Sequence, residues 1–337
     1  MKKLPVIAIV GATGVVGQEM LSVLNEGLIP FSDVRLLASK DSAGELYKVA
    51  GNEAEVQELT ESSFDGVDIA LFATSGELSQ RFVPCAVKAG AYAIDNSSHF
   101  RMNPEVPLVV PEVNPDSITK NSKIIANPNC STIQLVPILD IINKAAGLKR
   151  VVVSTYQSVS GAGKAALDEL WGQTLAVFNQ QELPQEAFQH QIAFNCIPQI
   201  DVLLDNGYTK EEFKIINESR KILQKPDLRI TATAVRVPVF YAHAESVNVE
   251  TERDLFPDDL AALLAKAEGI EVYQNASDYP MQITVGGSDP IHVGRIRRDE
   301  SVPHGLDFWV VADNVRKGAA LNAVQIAKII IERFGNV

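Results

Sequence analysis

Val6-Ile-Ala-Ile-Val10 runs without a break into Gly11-Ala-Thr-Gly14-Val-Val-Gly17. Five apolar residues in a row read as a strand buried on both faces, the pattern of a parallel sheet. The apolar-periodic stretch that follows, around Met20, Leu21, Val23 and Leu24, reads as a helix. A Gly-x-x-Gly-x-x-Gly run is weak on its own. Between the first strand and the first helix of an α/β chain it marks a dinucleotide site, where glycine lets the backbone approach a pyrophosphate lying on the helix N-terminus.

Outward from this unit the pattern repeats. Val34–Ala38, Ile69–Phe72, Tyr92–Asp95 and Ile124–Ala126 read as further strands, with a helix near Gln80–Ala89. Strands alternating with helices predict a Rossmann-type, doubly wound parallel sheet. Past residue 130 the rhythm changes. Arg150–Tyr156, Ile230–Val239, Ala244–Glu250 and Phe308–Val311 are strand-like with fewer helices between them, predicting an α+β domain on a mixed or antiparallel sheet covered on one face. A last helix, about Gly318–Phe334, carries Ala320, Val324, Ala327, Ile331 and Phe334 on one stripe. Such a stripe must be buried, and the first domain is the expected place.

With 337 residues the chain suits two domains. Its net charge of -12 is the wrong sign for a general nucleic-acid surface, so an anionic ligand must be held by local cations. Three scattered cysteines, Cys85, Cys130 and Cys196, form neither a disulfide framework nor a zinc site, which fits a reduced, cytoplasmic setting. The start, Met1-Lys-Lys-Leu-Pro-Val6, enters the glycine motif too soon for a signal peptide, and no stretch approaches membrane-spanning length.

The cofactor's identity is read at the end of the second strand. NAD sites usually carry an acidic residue there for the ribose hydroxyls. Here the run is Ser39-Lys40-Asp41-Ser42, whose hydroxyl and cation suit a 2′-phosphate and hence NADP, while Asp41 argues for NAD. A second glycine cluster, Ser160-Gly161-Ala162-Gly163-Lys164, fails as a phosphate loop because Ser158 and Ala165 replace the required Gly and Ser/Thr. It reads as a turn that brings backbone close to a ligand, at the nicotinamide end of the cofactor.

Asn127-Pro-Asn-Cys130-Ser-Thr132 places a cysteine at the start of an apolar-periodic helix that contains Pro137. Unpaired N–H groups and the helix dipole there favour a thiolate nucleophile, and the bland alternative is a buried loop cysteine. A thiolate needs a base. Of five histidines, His243 lies between two predicted strands, where a side chain is aimed rigidly, although such a histidine is more often structural. Arg236 stands seven residues earlier, Gln157 follows a strand, and Arg101 follows the strand ending at Asp95. Glu218 and Lys221 sit a turn apart on a predicted helix, ordinarily a solvated face.

Together these segments resemble the aspartate-β-semialdehyde dehydrogenase family over essentially the whole chain. The motifs are Gly-Ala-Thr-Gly-Val-Val-Gly at 11–17, Asp-Asn-Ser-Ser-His-Phe-Arg at 95–101, Val-Val-Pro-Glu-Val-Asn at 109–114 and Asn-Pro-Asn-Cys-Ser-Thr at 127–132. Tyr-Gln-Ser-Val-Ser-Gly-Ala-Gly at 156–163, Phe-Asn-Cys-Ile-Pro-Gln-Ile-Asp at 194–201, Arg-Val-Pro-Val at 236–239, His243 and Asp-Asn-Val-Arg-Lys-Gly-Ala at 313–319 complete the set.

The resemblance implies an NADP-binding domain of 1–129 plus 315–337 and a catalytic and dimerisation domain of 130–314. It implies reversible, NADP- and phosphate-dependent interconversion of aspartate semialdehyde and aspartyl phosphate, feeding lysine, diaminopimelate, threonine and methionine biosynthesis. Cys130 would be the acyl-accepting nucleophile, and His243 the acid/base, a role suited to a group titrating near neutrality. Gln157 would orient the acyl group, Arg101, Lys221 and Asn129 would hold phosphate, and Arg236 and Glu218 would bind the substrate's carboxylate and ammonium. Gly11, Thr13, Gly14, Val15, Val16, Gly17, Ser39, Lys40 and Ser42 would bind the cofactor, with Ser160, Gly161 and Asn314 near its nicotinamide. Members usually form homodimers or homotetramers. The family's common Ser-x-Arg-Ser is here Ser39-Lys40-Asp41-Ser42. Competing readings are another thiol-dependent aldehyde or acyl-phosphate dehydrogenase, of glyceraldehyde-3-phosphate or glutamyl-phosphate type, and a non-catalytic cofactor-binding protein.

Overall fold

A computed structural model describes residues 4–275 and 277–335. The first two lysines of the chain lie outside the described residues. Two compact units are present, one running to Asn129 and resuming at Ala319, the other spanning Cys130–Gly318.

The first unit holds seven strands: β1 (Val6–Val10), β2 (Asp33–Ala38), β3 (Leu46–Val49), β4 (Asn52–Glu58), β5 (Ile69–Phe72), β6 (Tyr92–Asp95) and β7 (Ile124–Ala126). Their order is β3-β4-β2-β1-β5-β6-β7, and every pairing is parallel except β3 with β4. The apolar run that opens the chain explains the two-sided packing. Successive side chains of a strand point to opposite faces. Ile7 and Ile9 therefore pack with helix α1 (Val15–Asn25), while Ala8 and Val10 pack with Phe82, Val83 and Ala86 of α2 (Gly76–Lys88).

The second unit opens with α3 (Cys130–Ala146) and contains β8 (Leu148–Gln157), α4 (Lys164–Asn179), α5 (Lys210–Ile222), β9 (Arg229–Arg236) and β10 (His243–Thr251). It continues with α6 (Pro257–Leu264), β11 (Ile270–Val272), α7 (Gln282–Val285), β12 (Ile291–Asp299) and β13 (Gly305–Ala312). Its sheet, in the order β11-β12-β13-β10-β8-β9, is mixed: β8/β9 and β11/β12 are parallel and the other pairs antiparallel. The chain ends in α8 (Asn322–Phe334), which packs against α1, β5 and β6 of the first unit as its apolar stripe requires.

The expected boundary after Asn314 falls instead after Gly318. Asp313 explains the shift: its carboxylate accepts from Val315 N and Arg316 N, and its carbonyl from Gly318 N, tying 315–318 to the second unit. Strand β9 stops at Arg236 rather than reaching Val239, because Pro238 lacks the N–H a ladder needs. The β3/β4 hairpin has no apolar run to announce it; most of its side chains are exposed, and it turns through Ala50 and Gly51, both at positive φ.

Candidate active site

In the first unit the candidate cofactor loop is built from backbone. Gly11 has a φ of +84°, and a Cβ there would stand 2.3 Å from Ala73 O; a Cβ on Gly17 would stand 2.1 Å from Gly11 O. No other residue fits either position. Helix α1 starts at Val15 with Gly14 as N-cap and no side-chain cap, so the first turn of Val15, Val16 and Gly17 is open to an anion. Thr13 Oγ1 donates to Ser42 Oγ at 3.4 Å, bringing the loop after β2 beside the glycine loop. Ser39, Lys40 and Asp41 are all exposed there, so a hydroxyl and a cation stand beside an acid, as expected from the sequence. These residues fit a dinucleotide phosphate. Arg101 and Asn129 also belong to this unit, both buried, with Arg101 Nη2 donating to Asn96 O at 2.6 Å.

In the second unit the candidate catalytic residues are built from side chains. Cys130 is the first residue of α3, as expected, and is partly exposed. Gln157, at the end of β8, is buried, and its Nε2 donates toward Ser131 Oγ at 3.1 Å, Thr155 Oγ1 at 3.3 Å and Glu211 Oε1 at 3.3 Å. Arg236, at the end of β9, is buried and donates from Nη1 to Ser158 O at 2.6 Å. The Arg236 guanidinium feels the charges of Glu211 and Cys130, and burial lowers its pKa.

His243, the first residue of β10, is completely buried. Ser158 N donates to its Nδ1 at 3.1 Å. A backbone N–H can only donate, so Nδ1 is an acceptor and the neutral ring carries its proton on Nε2. Among the described residues that Nε2 has no hydrogen-bond partner. Burial first, and the Arg236 charge second, push the His243 pKa down to about 3. The expectation of a group titrating near neutrality is therefore corrected: in the resting protein this imidazole is neutral throughout the physiological range. Gly161 lies against it, since a Cβ there would be 3.3 Å from both His243 Nε2 and Arg236 Nη1. Ser160 Oγ and Ser158 Oγ both donate to Asn314 Oδ1, at 3.1 and 3.0 Å.

Glu218 and Lys221 lie on α5, as expected, yet not on a solvated face. Glu218 is 1% exposed and Lys221 half-buried, with the Lys221 pKa lowered by burial against the pull of Glu218. The reason is that α5 packs its inner face on α3 and β9.

Sequence reading missed Ser131, Ser158 and Glu211. Ser131 and Ser158 adjoin Cys130 and Gln157 in the chain, and adjacency was their signal. Glu211 gave none, because it lies in the first turn of α5 beside a Thr209/Glu212 capping box, where an acid is ordinary.

A Rossmann-type dinucleotide unit, followed by a unit presenting a cysteine at a helix start with a buried histidine and arginine, is the make-up of a two-unit nucleotide-linked dehydrogenase. Two family models match: "Semialdehyde dehydrogenase, NAD binding domain" over residues 6–121 and "Semialdehyde dehydrogenase, dimerisation domain" over residues 135–317. Aspartate-semialdehyde dehydrogenase 2 of Vibrio cholerae is 50% identical over 97% of this chain and 98% of its own. Aspartate-semialdehyde dehydrogenase of Aquifex aeolicus is 50% identical over the same shares. The crystal structure of aspartate semialdehyde dehydrogenase II from Vibrio cholerae, complexed with ASA, superposes with a TM-score of 0.97 at 49% identity, covering 98% of this chain and 99% of that one. The chain belongs to the aspartate-semialdehyde dehydrogenase family.

Proposed function

We propose that this chain catalyses the reversible, NADP- and phosphate-dependent conversion of L-aspartate 4-semialdehyde to L-4-aspartyl phosphate through a thioester on Cys130. The observation that supports it most directly is the buried polar cluster around the start of α3, where Gln157 bonds the residue after Cys130 and Arg236 feels the Cys130 charge. A substrate panel against glyceraldehyde-3-phosphate and glutamate semialdehyde separates this reading from its nearest rivals.

In the biosynthetic direction the Cys130 thiolate attacks the acyl phosphate carbonyl, the C–S bond forms, and phosphate leaves with the electrons of the C–O bond. NADP, in its reduced form, supplies the hydride. The resulting hemithioacetal collapses to aldehyde and returns the electron pair to Cys130. A thioester keeps the carbonyl activated, so neither half is steep. His243, with its proton on Nε2, donates a hydrogen bond to the substrate oxygen as negative charge develops there. N–H groups at the head of α3 stabilise the tetrahedral oxyanion.

Gln157 orients the acyl group. Arg236 grips the α-carboxylate with its two-pronged donor set, and Glu218 takes the ammonium. Arg101, Lys221 and Asn129 hold phosphate. Ser160, Gly161 and Asn314 border the nicotinamide. Gly11, Thr13, Gly14, Val15, Val16 and Gly17 receive the cofactor's pyrophosphate, and Ser39, Lys40 and Ser42 its 2′-phosphate. The first unit serves as the NADP-binding domain and the second as the catalytic and dimerisation domain. The protein works in the cytoplasm as a homodimer or homotetramer, assembled through the unit that matches the dimerisation family model. Among the described residues no helix is long and apolar enough to cross a membrane.

The test is to mix the enzyme with semialdehyde and NADP, omit phosphate, quench, and weigh the peptide that contains Cys130. An aspartyl mass addition on that peptide is expected. Turnover on adding phosphate, without any acylated Cys130 in the quenched sample or in a slowed variant, overturns the covalent route.

A further inference from the structure

Two residues past His243 on β10 stands Glu245, fully buried, on the same face of the strand. Its ladder neighbours are Thr155 on β8 and Val310 on β13. Among the described residues neither carboxyl oxygen completes a hydrogen bond. Burial drives the Glu245 pKa well above the ordinary carboxyl range, against a smaller downward pull from the Gln134 side chain of α3. Gln134 is itself fully buried; its Nε2 donates to the His243 carbonyl at 3.4 Å, and its Oε1 lacks a partner. From the packed elements, β8 offers Thr155 and Gln157, with the Glu211 carboxyl on the same Gln157 amide, β13 offers Val310 and Ala312, and α3's Asp140 and Lys144 pair with each other.

The chain just before His243 is strained. Ala242, fully buried, has a φ of 67°, left-handed for a residue with a Cβ. Such a conformation persists only where its surroundings over-determine it. One clamp is visible on the near side, where Gln282 Nε2 donates to Ala242 O at 2.7 Å and to Tyr156 O at 2.9 Å. Gln134 on the His243 carbonyl is the corresponding hold on the far side.

We infer that Glu245 is a positioning residue: paired with the Gln134 amide, its carboxyl anchors the clamp that holds the His243 main chain, and so the imidazole, beyond the strained Ala242. A neutral carboxyl offers an O–H for Gln134 Oε1 and a carbonyl for the second amide hydrogen, so acid and amide match pairwise. A carboxylate matches only the N–H and leaves Oε1 bare, at the cost of a buried unpaired charge. This rests on His243 being the acid/base of the proposed reaction.

The test compares Glu245→Leu, Glu245→Gln and Gln134→Met in the full-length enzyme. Glu245→Leu is expected to lower kcat about tenfold, as small misplacements of a catalytic group do, with KM within about twofold. Glu245→Gln, which also pairs with an amide, is expected to restore kcat to within about threefold with the wild-type pH profile. Gln134→Met reads the same clamp from its other end and serves if the leucine variant does not fold. An activity-free readout is the 15N spectrum of the His243 ring, where the wild type is expected to show Nε2–H and the leucine variant a mixture. A folded Glu245→Leu or Gln134→Met with wild-type kcat and ring spectrum overturns the inference, and so does a Glu245→Gln that shifts the pH profile, since the carboxylate charge would then be in use. An unaffected kcat in His243→Asn would instead overturn the underlying assignment of the acid/base.

Discussion

The two units build their candidate sites from different materials. In the first unit the candidate site is main chain: two glycines that tolerate no Cβ, an uncapped helix start and a hydroxyl link from Thr13 to Ser42. In the second it is a net of buried side chains, Gln157, Arg236, His243 and Glu211, collected from the ends of three strands and one helix. Backbone donors carry no ionisable proton and need no orienting partner. Side chains that move protons need both, so the second unit concentrates the perturbed groups: His243, Arg236 and Glu245 all lie there.

That division predicts where each variant is felt. Cys130→Ala carries the largest expected effect, a loss in kcat of at least about 10⁴-fold, because a nucleophile in a cooperating set cannot be replaced by its neighbours. NADP binding, followed by fluorescence titration, is expected to be unchanged. Loss of cofactor affinity in this variant would break the separation of roles. His243→Asn is expected to lower kcat by about 10²- to 10³-fold, in the range of one acid/base group, while KM for the semialdehyde stays within about threefold. A change in KM alone would make His243 a binding residue.

The difference in materials also governs what can be read from the chain. The glycine loop is local, so strand, motif and helix lie within Val6–Asn25, and the doubly wound sheet follows from the same alternation. The side-chain net is assembled from positions spread between Cys130 and Asn314, and no period or spacing relates Gln157 to Glu211 or His243 to Ser158. Cys130 and His243 were legible as candidates by their types, and the family resemblance joined them. The state of His243 was not legible, because a pKa near 3 is made by complete burial and by an arginine on another strand. Glu245 reads in the sequence as one more polar residue of an alternating strand. Only the packing of α3 on β10 buries it. The hairpin of β3 and β4 escaped for the opposite reason, since most of its side chains are exposed and only a few, such as Val49 and Val56, reach the core.

A pair of glycine variants sharpens the contrast. Gly161→Ala places a Cβ 3.3 Å from the His243 and Arg236 nitrogens, a contact that side chains relieve by shifting. The expected result is a fall in kcat of about tenfold with the melting temperature nearly unchanged. Gly11→Ala puts a Cβ 2.3 Å from a carbonyl oxygen at a φ of +84°, where backbone must move. Thermal stability is expected to fall by more than about 1 kcal/mol and KM for NADP to rise, with kcat at saturating cofactor within about threefold. Kinetic effects on the opposite parameters would show that the two sites are not divided in this way.

The smallest expected effect is on stability against pH. His243 is held neutral in the folded protein, with its pKa at about 3 against the usual 6.5. Between those values the unfolded chain binds a proton that the folded one refuses, so stability falls as pH drops through this window, by at most about 1.4 kcal/mol per pH unit. Above pH 6.5 neither state carries the proton and the group contributes no slope. His243→Asn removes the titration. Denaturant melts at pH 7 and pH 5 are therefore expected to show the variant losing about 1–2 kcal/mol less than the wild type on acidification. Equal losses would mean that the imidazole is charged or solvated in the folded state, and that the side-chain net is looser than its buried geometry implies.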